Sequence, residues 1–170
     1  MVEIYIDFDD VIMDTSSVLF SKWDKIPFSG LFSEDLKIKY IKLAKWEELI
    51  KKSDIIKNSI SELKDMDPKM TSILTKVHSM ENESVAKVRF LRDMGVKQKI
   101  IIVPYHLKKT DMVDACGNIL VDDCVRNLDH WKECGGTPIF FSKNDSDIDN
   151  WGDVNTSYTK VKSLNMLKKL

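Results

Sequence analysis

The 170-residue sequence has almost no net charge, since 26 basic residues stand against 27 acidic ones, a formal net charge of −1 at pH 7. A balanced chain sets up no long-range field toward an acidic membrane or a nucleic-acid duplex, so neither is an expected partner. Long hydrophobic runs are also missing. No apolar stretch approaches the roughly 18 residues that span a bilayer, and residues 1–7 lack the basic segment and apolar run of a secretion signal. A cytoplasmic location is the expectation. Cysteine is scarce: Cys116, Cys124 and Cys134 are odd in number and have no nearby Cys or His to build a structural zinc site, which predicts reduced, partly buried thiols. His78, His106 and His130 are scattered and are expected to be structural or surface residues.

What is present is ordinary for a globular protein, with 43% hydrophobic and 31% charged residues. A chain of this length buries roughly two-thirds of its unfolded surface and fits one domain, or one domain carrying a small insert. Residues 2–8 are β-branched and aromatic and stop abruptly at acidic residues, the pattern of a buried strand. Residues 73–77, 99–103, 119–121 and 138–141 repeat it. Between them, residues 83–94 space Val85, Val88, Leu91 and Met94 at helical intervals before Gly95, and residues 125–134 form a second helical stretch before Gly135 and Gly136. Strands alternating with helices predict an α/β fold with a parallel sheet covered on both faces, whose ligands sit beyond the carboxyl ends of the strands.

Residues 15–68 break this rhythm. They hold no convincing strand and read as a helical insert, with Ser33 as an N-cap and with Leu36, Tyr40, Leu43, Trp46, Leu49 and Ile50 along one helix face. Core packing is one reading of that face, and a cap closing over substrate is the other. Phe20, Trp23, Phe28, Phe32 and Trp46 add aromatic surface that could either stack on a base or pack internally. Ser163, followed by Leu164, Leu167 and Leu170, predicts a capped final helix, with a polar loop at residues 144–155.

The chemistry is concentrated at strand ends. Asp7 and Asp9 follow the first strand, and residues two apart on an extended segment point the same way. Two converging carboxylates repel unless a cation lies between them or one is protonated. A second acidic pair, Asp122 and Asp123, ends another buried strand, and in a parallel sheet it reaches the same edge. Such an oxygen-rich cavity suits a hard cation such as magnesium. Thr75 closes a third strand with a hydroxyl able to donate to a phosphate oxygen, and Lys109, in the loop before the second pair, is a point charge for phosphate or carboxylates.

Paired acids, hydroxyl, lysine and paired acids, in that order, resemble the four motifs of the haloacid dehalogenase superfamily of phosphatases. The resemblance runs the length of the chain, with Asp7 and Asp9 matching the first motif, Thr75 the second, Lys109 the third and Asp122 and Asp123 the fourth. It implies a Rossmann-like, three-layer α/β/α core at residues 1–14 and 69–170, with a small helical cap inserted at residues 15–68. Within the superfamily, the stretch from Asp7 through Thr15 and the run Asn118-Ile119-Leu120-Val121-Asp122-Asp123 are most similar to the small 5'(3')-deoxyribonucleotidases. Asp10 stands where that branch has glycine, and Lys76 follows Thr75 where those enzymes carry serine.

The resemblance further implies that Asp7 is a nucleophile forming an aspartyl-phosphate and that Asp9 is the acid and base. Magnesium is expected on Asp7, the Asp9 carbonyl and the second pair, with Asp123 as the direct ligand and Asp122 nearby or acting through water. Thr75 and Lys109 would hold phosphate, and the substrate would be a phosphomonoester such as a nucleoside or deoxynucleoside monophosphate. Two alternatives carry no turnover: a phosphate-binding protein of the same fold, and a receiver-like domain phosphorylated on aspartate. Receivers place their acidic residues before the threonine and lysine, whereas the second pair here comes last.

Overall fold

The computed structural model describes residues 2–23, 34–143 and 158–169. Six strands, β1 (Ile4–Ile6), β2 (Thr71–Val77), β3 (Lys99–Pro104), β4 (Ile119–Asp122), β5 (Thr137–Phe141) and β6 (Thr159–Val161), form one sheet of order β3-β2-β1-β4-β5-β6. Every pairing is parallel. Four helices, α1 (Thr15–Trp23), α2 (Glu34–Leu43), α3 (Trp46–Lys52) and α4 (Ser59–Lys64), follow β1. Helices α5 (Glu83–Asp93) and α6 (Val125–Glu133) are crossovers. This is the Rossmann-like α/β architecture expected from the alternation of strands and helices.

Strand residues alternate between two cores. Ile6, Ile73, Val121 and Ile139 face one side, where they share a cluster with Leu91 of α5 and with Leu19, Ile41, Trp46, Leu49, Ile60 and Leu63 of the four early helices. Tyr5, Leu74 and Leu120 face the other and pack with Leu128 and Trp131 of α6. Burial on both faces is why these strands read as nearly continuous apolar runs. Gly136 closes the second core. A Cβ there would lie 2.3 Å from the Trp131 Nε1, so only glycine lets the chain pass the indole on its way into β5.

Several expectations need correction. The stripe running from Leu36 to Ile50 does not lie on one helix. The chain breaks at Ala44 and Lys45, and the break resets the helical phase, leaving Leu36 47% and Leu43 79% exposed while Trp46, Leu49 and Ile50 are buried. The α5 stripe also shifts: Val85 is exposed, and Glu83, Ser84, Ala86, Lys87 and Leu91 are the buried residues. The last element is a 3-10 helix, Leu164–Lys169, in which a spacing of three puts Leu164 and Leu167 on one buried side. β6 was not anticipated, being three residues long and mostly polar. Cys116 and Cys134 are exposed rather than partly buried. Ser33, Phe28, Phe32, Leu170 and the loop at 144–155 lie outside the described residues. Among the described residues no helix is long and apolar enough to cross a membrane.

Candidate active site

The order 3-2-1-4-5-6 reverses direction at β1, which has β2 on one side and β4 on the other. Crossovers leave in opposite directions there, so a crevice opens beyond the carboxyl ends of β1 and β4. Asp7 enters it first. Its N–H still donates to the Val121 carbonyl at 2.9 Å, so the ladder holds the residue one step past the strand. The chain then turns sharply, with Ile12 and Met13 both donating to the Phe8 carbonyl. Asp10 takes a left-handed φ of 55°, a conformation that aspartate tolerates better than most residues. Lys143, just beyond β5, pairs with Asp10 at 2.8 Å and with Asp14 at 2.7 Å, pinning this turn from across the sheet edge.

β4 delivers the second acidic pair. Asp122 is fully buried, accepting hydrogen bonds from the Lys109 Nζ at 2.6 Å, the Asn127 Nδ2 at 3.0 Å and the Cys124 N–H at 2.8 Å. The same Lys109 ammonium lies 2.9 Å from the Asp7 Oδ1, so one buried cation ties the two carboxylates together. Asp7, Asp122 and Asp123 each bring one carboxylate oxygen within 4.8 Å of the others.

The electrostatics of the cluster are those of acids held together. Burial, reinforced by Asp122 and Asp9 and opposed by Lys109, pushes the Asp7 carboxyl up to about 7. Asp123 is partly open as a residue, but its carboxyl is enclosed. That enclosure, together with Asp122, Asp7 and Asp10, holds it well above the ordinary carboxylate range. Burial alone would lower Lys109, yet Asp122 and Asp7 outweigh it and raise the ammonium above the usual lysine range. Three acids against one ammonium leave negative charge over. Opposite oxygens around a magnesium ion stand roughly 4 Å apart, and hard cations take oxygen ligands. The spacing and the donor type of Asp7, Asp122 and Asp123 therefore both fit a bound magnesium.

Asp9 faces a different partner. Its Oδ2 accepts from the Lys87 Nζ at 2.5 Å and its Oδ1 from the Thr15 hydroxyl at 2.7 Å, so its carboxylate stands apart from the three clustered acids. Lys87 is fully buried and also contacts the Glu83 Oε1 at 2.7 Å, the Lys76 carbonyl at 3.1 Å and the Thr75 Oγ1 at 3.2 Å, four acceptors sharing its three N–H groups. Burial would lower its pKa, but Asp9 and Glu83 outweigh that and raise it. Burial would likewise raise Glu83, and Lys87 and His78 overcome it and hold that carboxyl below its usual range. Thr75 and Asp9 thus share Lys87, a lysine that the sequence did not single out.

Further cations fringe the cluster. Lys76 is pushed down by burial and by the nearby Arg126 and Lys109, a concentration of positive charge that an anion would relieve. The His78 ring stacks on Tyr105, 5.5 Å between centroids, beyond the ends of β2 and β3. Lys42 of α2 sits 4.6 Å above the same Tyr105 ring, so the helical insert reaches this rim. Of the insert aromatics, Trp46 is buried with its Nε1 donating to the Ile41 carbonyl, Trp23 packs on Tyr40, and Phe20 lies beneath Lys37.

No protein-family model matches the chain, and no curated protein matches it in sequence. Solved structures do match over essentially the whole length. A haloacid dehalogenase-like hydrolase from Streptococcus pneumoniae is 14% identical with a TM-score of 0.59, covering 99% of this chain and 98% of its own. The D,D-heptose 1,7-bisphosphate phosphatase from B. bronchiseptica, complexed with magnesium and phosphate, is 14% identical with a TM-score of 0.60 and covers 100% of both chains. The HAD-hydrolase YfnB from Bacillus subtilis, bound to magnesium, is 13% identical with a TM-score of 0.58, covering 99% of this chain and 97% of its own. At these identities the likeness establishes a shared haloacid dehalogenase-like fold.

Proposed function

We propose that this chain is a magnesium-dependent phosphomonoester hydrolase that works through an aspartyl-phosphate on Asp7, with nucleoside and deoxynucleoside monophosphates as its substrates. The observation that carries the reading is the meeting of Asp7, Asp122 and Asp123 within 4.8 Å, with Lys109 bridging two of them at the switch point of the sheet. The magnesium and phosphate bound to the heptose bisphosphate phosphatase and the magnesium bound to YfnB support it. The nucleotide assignment rests on the likeness of the Asp7 and Asp122 motifs to those of deoxyribonucleotidases.

Asp7, the Asp9 backbone carbonyl and Asp123 would hold the magnesium ion, which would supply positive charge against the phosphoryl oxygens. Asp123 suits direct ligation better than Asp122, whose oxygens already accept three hydrogen bonds. An Asp7 oxygen attacks phosphorus as the bond to the leaving oxygen breaks, and Asp9 gives its proton to the departing alkoxide. Water then attacks the aspartyl-phosphate, its proton passes to Asp9, and the Asp7 carboxylate is regenerated as phosphate leaves. Lys109 and Thr75 hold phosphoryl oxygens throughout. Residues 15–68 serve as a cap on the core of residues 1–14 and 69–170, a role supported by the contact of Lys42 with Tyr105 at the rim.

The test is a panel of nucleoside monophosphates and sugar phosphates, assayed with magnesium and again with chelator. Hydrolysis is expected only with the metal, and Asp7→Asn is expected to lower kcat on the order of 10⁴-fold while leaving the circular dichroism spectrum unchanged. Appreciable turnover by that variant removes Asp7 as nucleophile.

A further inference from the structure

Helix α5 buries a lysine beside Asp9 and Thr75, two site residues that Lys109 does not hold. An ammonium without solvent contact is a poor investment in stability, because desolvation offsets most of what its ion pairs return. Lys87 nevertheless stands in the helix interior, 5.0 Å from the Trp46 ring and 5.3 Å from the Phe8 ring, walled off by aromatic surface. Glu83, one turn earlier on the same helix, anchors it. Glu83 is itself fixed, since its Oε2 accepts the His78 N–H at 2.7 Å at the end of β2. Two N–H groups remain for the other three acceptors, Asp9 at 2.5 Å, the Lys76 carbonyl at 3.1 Å and the Thr75 Oγ1 at 3.2 Å, so the two longer contacts share one donor.

We infer that Lys87, anchored by Glu83, is a positioning residue that aims the Asp9 carboxylate and the Thr75 hydroxyl proton at the phosphoryl group. The inference rests on the phosphohydrolase reading above. On Asp9 the ammonium fixes Oδ2 while Thr15 holds Oδ1, so the carboxylate is set in one rotamer before substrate arrives. On Thr75 the effect is on proton direction. A hydroxyl has one proton and two lone pairs, and an N–H donated to Oγ1 occupies a lone pair. The Thr75 proton has only the long 3.4 Å contact to the Lys76 carbonyl, which a phosphate oxygen can replace. One buried charge thereby aligns the acid and base with a phosphate donor, which is how preorganised sites avoid reorganising during reaction.

The experiment uses the full chain with magnesium and measures kcat/KM on an alkyl phosphomonoester and on p-nitrophenyl phosphate, whose leaving group needs little protonation. K87M strands Glu83 as a lone buried carboxylate, so the decisive variant is the neutral pair E83Q/K87M. It is expected to lose about 100-fold on the alkyl ester and less than about tenfold on the aryl ester, the size of a disturbed general acid. K87R, which keeps the charge but displaces it, is expected to show the same leaving-group-dependent loss at reduced size, and it carries the test if the neutral pair does not fold. Equal losses on both substrates, or rates within about threefold of wild type for the variant tested, overturn the positioning role. Wild-type protein inert toward every phosphomonoester brings down the hydrolase reading and this inference together. Active wild type, inert Asp7→Asn and an unaffected E83Q/K87M remove only the inference.

Discussion

Lys109 and Lys87 are both enclosed lysines clamped by two carboxylates, yet one opens a short 3-10 turn (Lys109–Asp111) beyond a strand and the other stands in the middle of a helix. Lys109 joins Asp7 to Asp122, acids brought by β1 and β4, and so ties the two halves of the sheet across its switch point. Lys87 joins Asp9 to Glu83, and so ties the turn after β1 to a crossover helix. Each ammonium is kept charged by its neighbours against the desolvation that burial imposes. Asp7 and Asp9, two residues apart in the chain, are thus held by different ammonium groups, although the Asp9 charge still helps to raise the Asp7 carboxyl.

The largest expected effect breaks the Lys109 side. Lys109→Met removes the counter-charge from Asp122, which is fully buried, and losing one partner of a buried pair costs about 3–5 kcal/mol. Urea unfolding in metal-free buffer measures it, and a loss under about 1 kcal/mol would mean that Asn127 and the Cys124 N–H suffice for Asp122.

A pH series sharpens the same side. In metal-free protein the folded Asp7 keeps its proton up to about pH 7, whereas the unfolded residue releases it near 3.8. Between those values the folded state binds the extra proton, and the raised Asp123 acts in the same direction, so stability falls as pH rises from about 4 to 7. The full span is on the order of a few kcal/mol at about 1.4 kcal/mol per pH unit. Thermal melts across that range should show the decline, and Asp7→Asn should make it shallower, the remainder belonging to Asp123. A metal-free profile that rises over this window would contradict the assignment of Asp7 as a buried, repelled carboxyl.

The smallest effect is a control on the outer face of α5, where Arg89 pairs with Glu47 of α3. Both side chains are more than half exposed, so Glu47→Ala should shift stability by less than about 1 kcal/mol. The same helix would then carry one consequential and one dispensable ion pair, separated only by the side they face. A Glu47→Ala loss as large as that of Lys109→Met would end the distinction.

Much of the Lys109 network was legible because strand ends announce themselves. Ile119, Leu120 and Val121 run apolar into Asp122 and Asp123, as Tyr5 and Ile6 run into Asp7, and parallel strands buried on both faces must bring such ends to one edge. The Lys87 network was not legible for an equally physical reason. A glutamate followed four residues later by a lysine is the ordinary mark of a solvated helix face, and apolar counting along α5 favoured Val85, which is exposed. Since Glu83 and Lys87 neutralise each other at that spacing, they could be buried together. The break at Ala44 and Lys45 misled the reading of the insert in a similar way, because hydrophobic spacing carries no mark of where one helix stops and the next begins.

By itself the sequence determined five of the six strands, that they lie parallel and covered, and that Asp7, Asp122 and Asp123 gather at their ends. Those properties follow from local periodicity and from the one-directional geometry of strand-helix alternation. Only the tertiary structure decided which lysine serves which acid, which face of α5 turns inward, and how the insert packs onto the sheet. Charge pairing and burial depend on what stands across the gap, and a linear pattern holds no record of that neighbour.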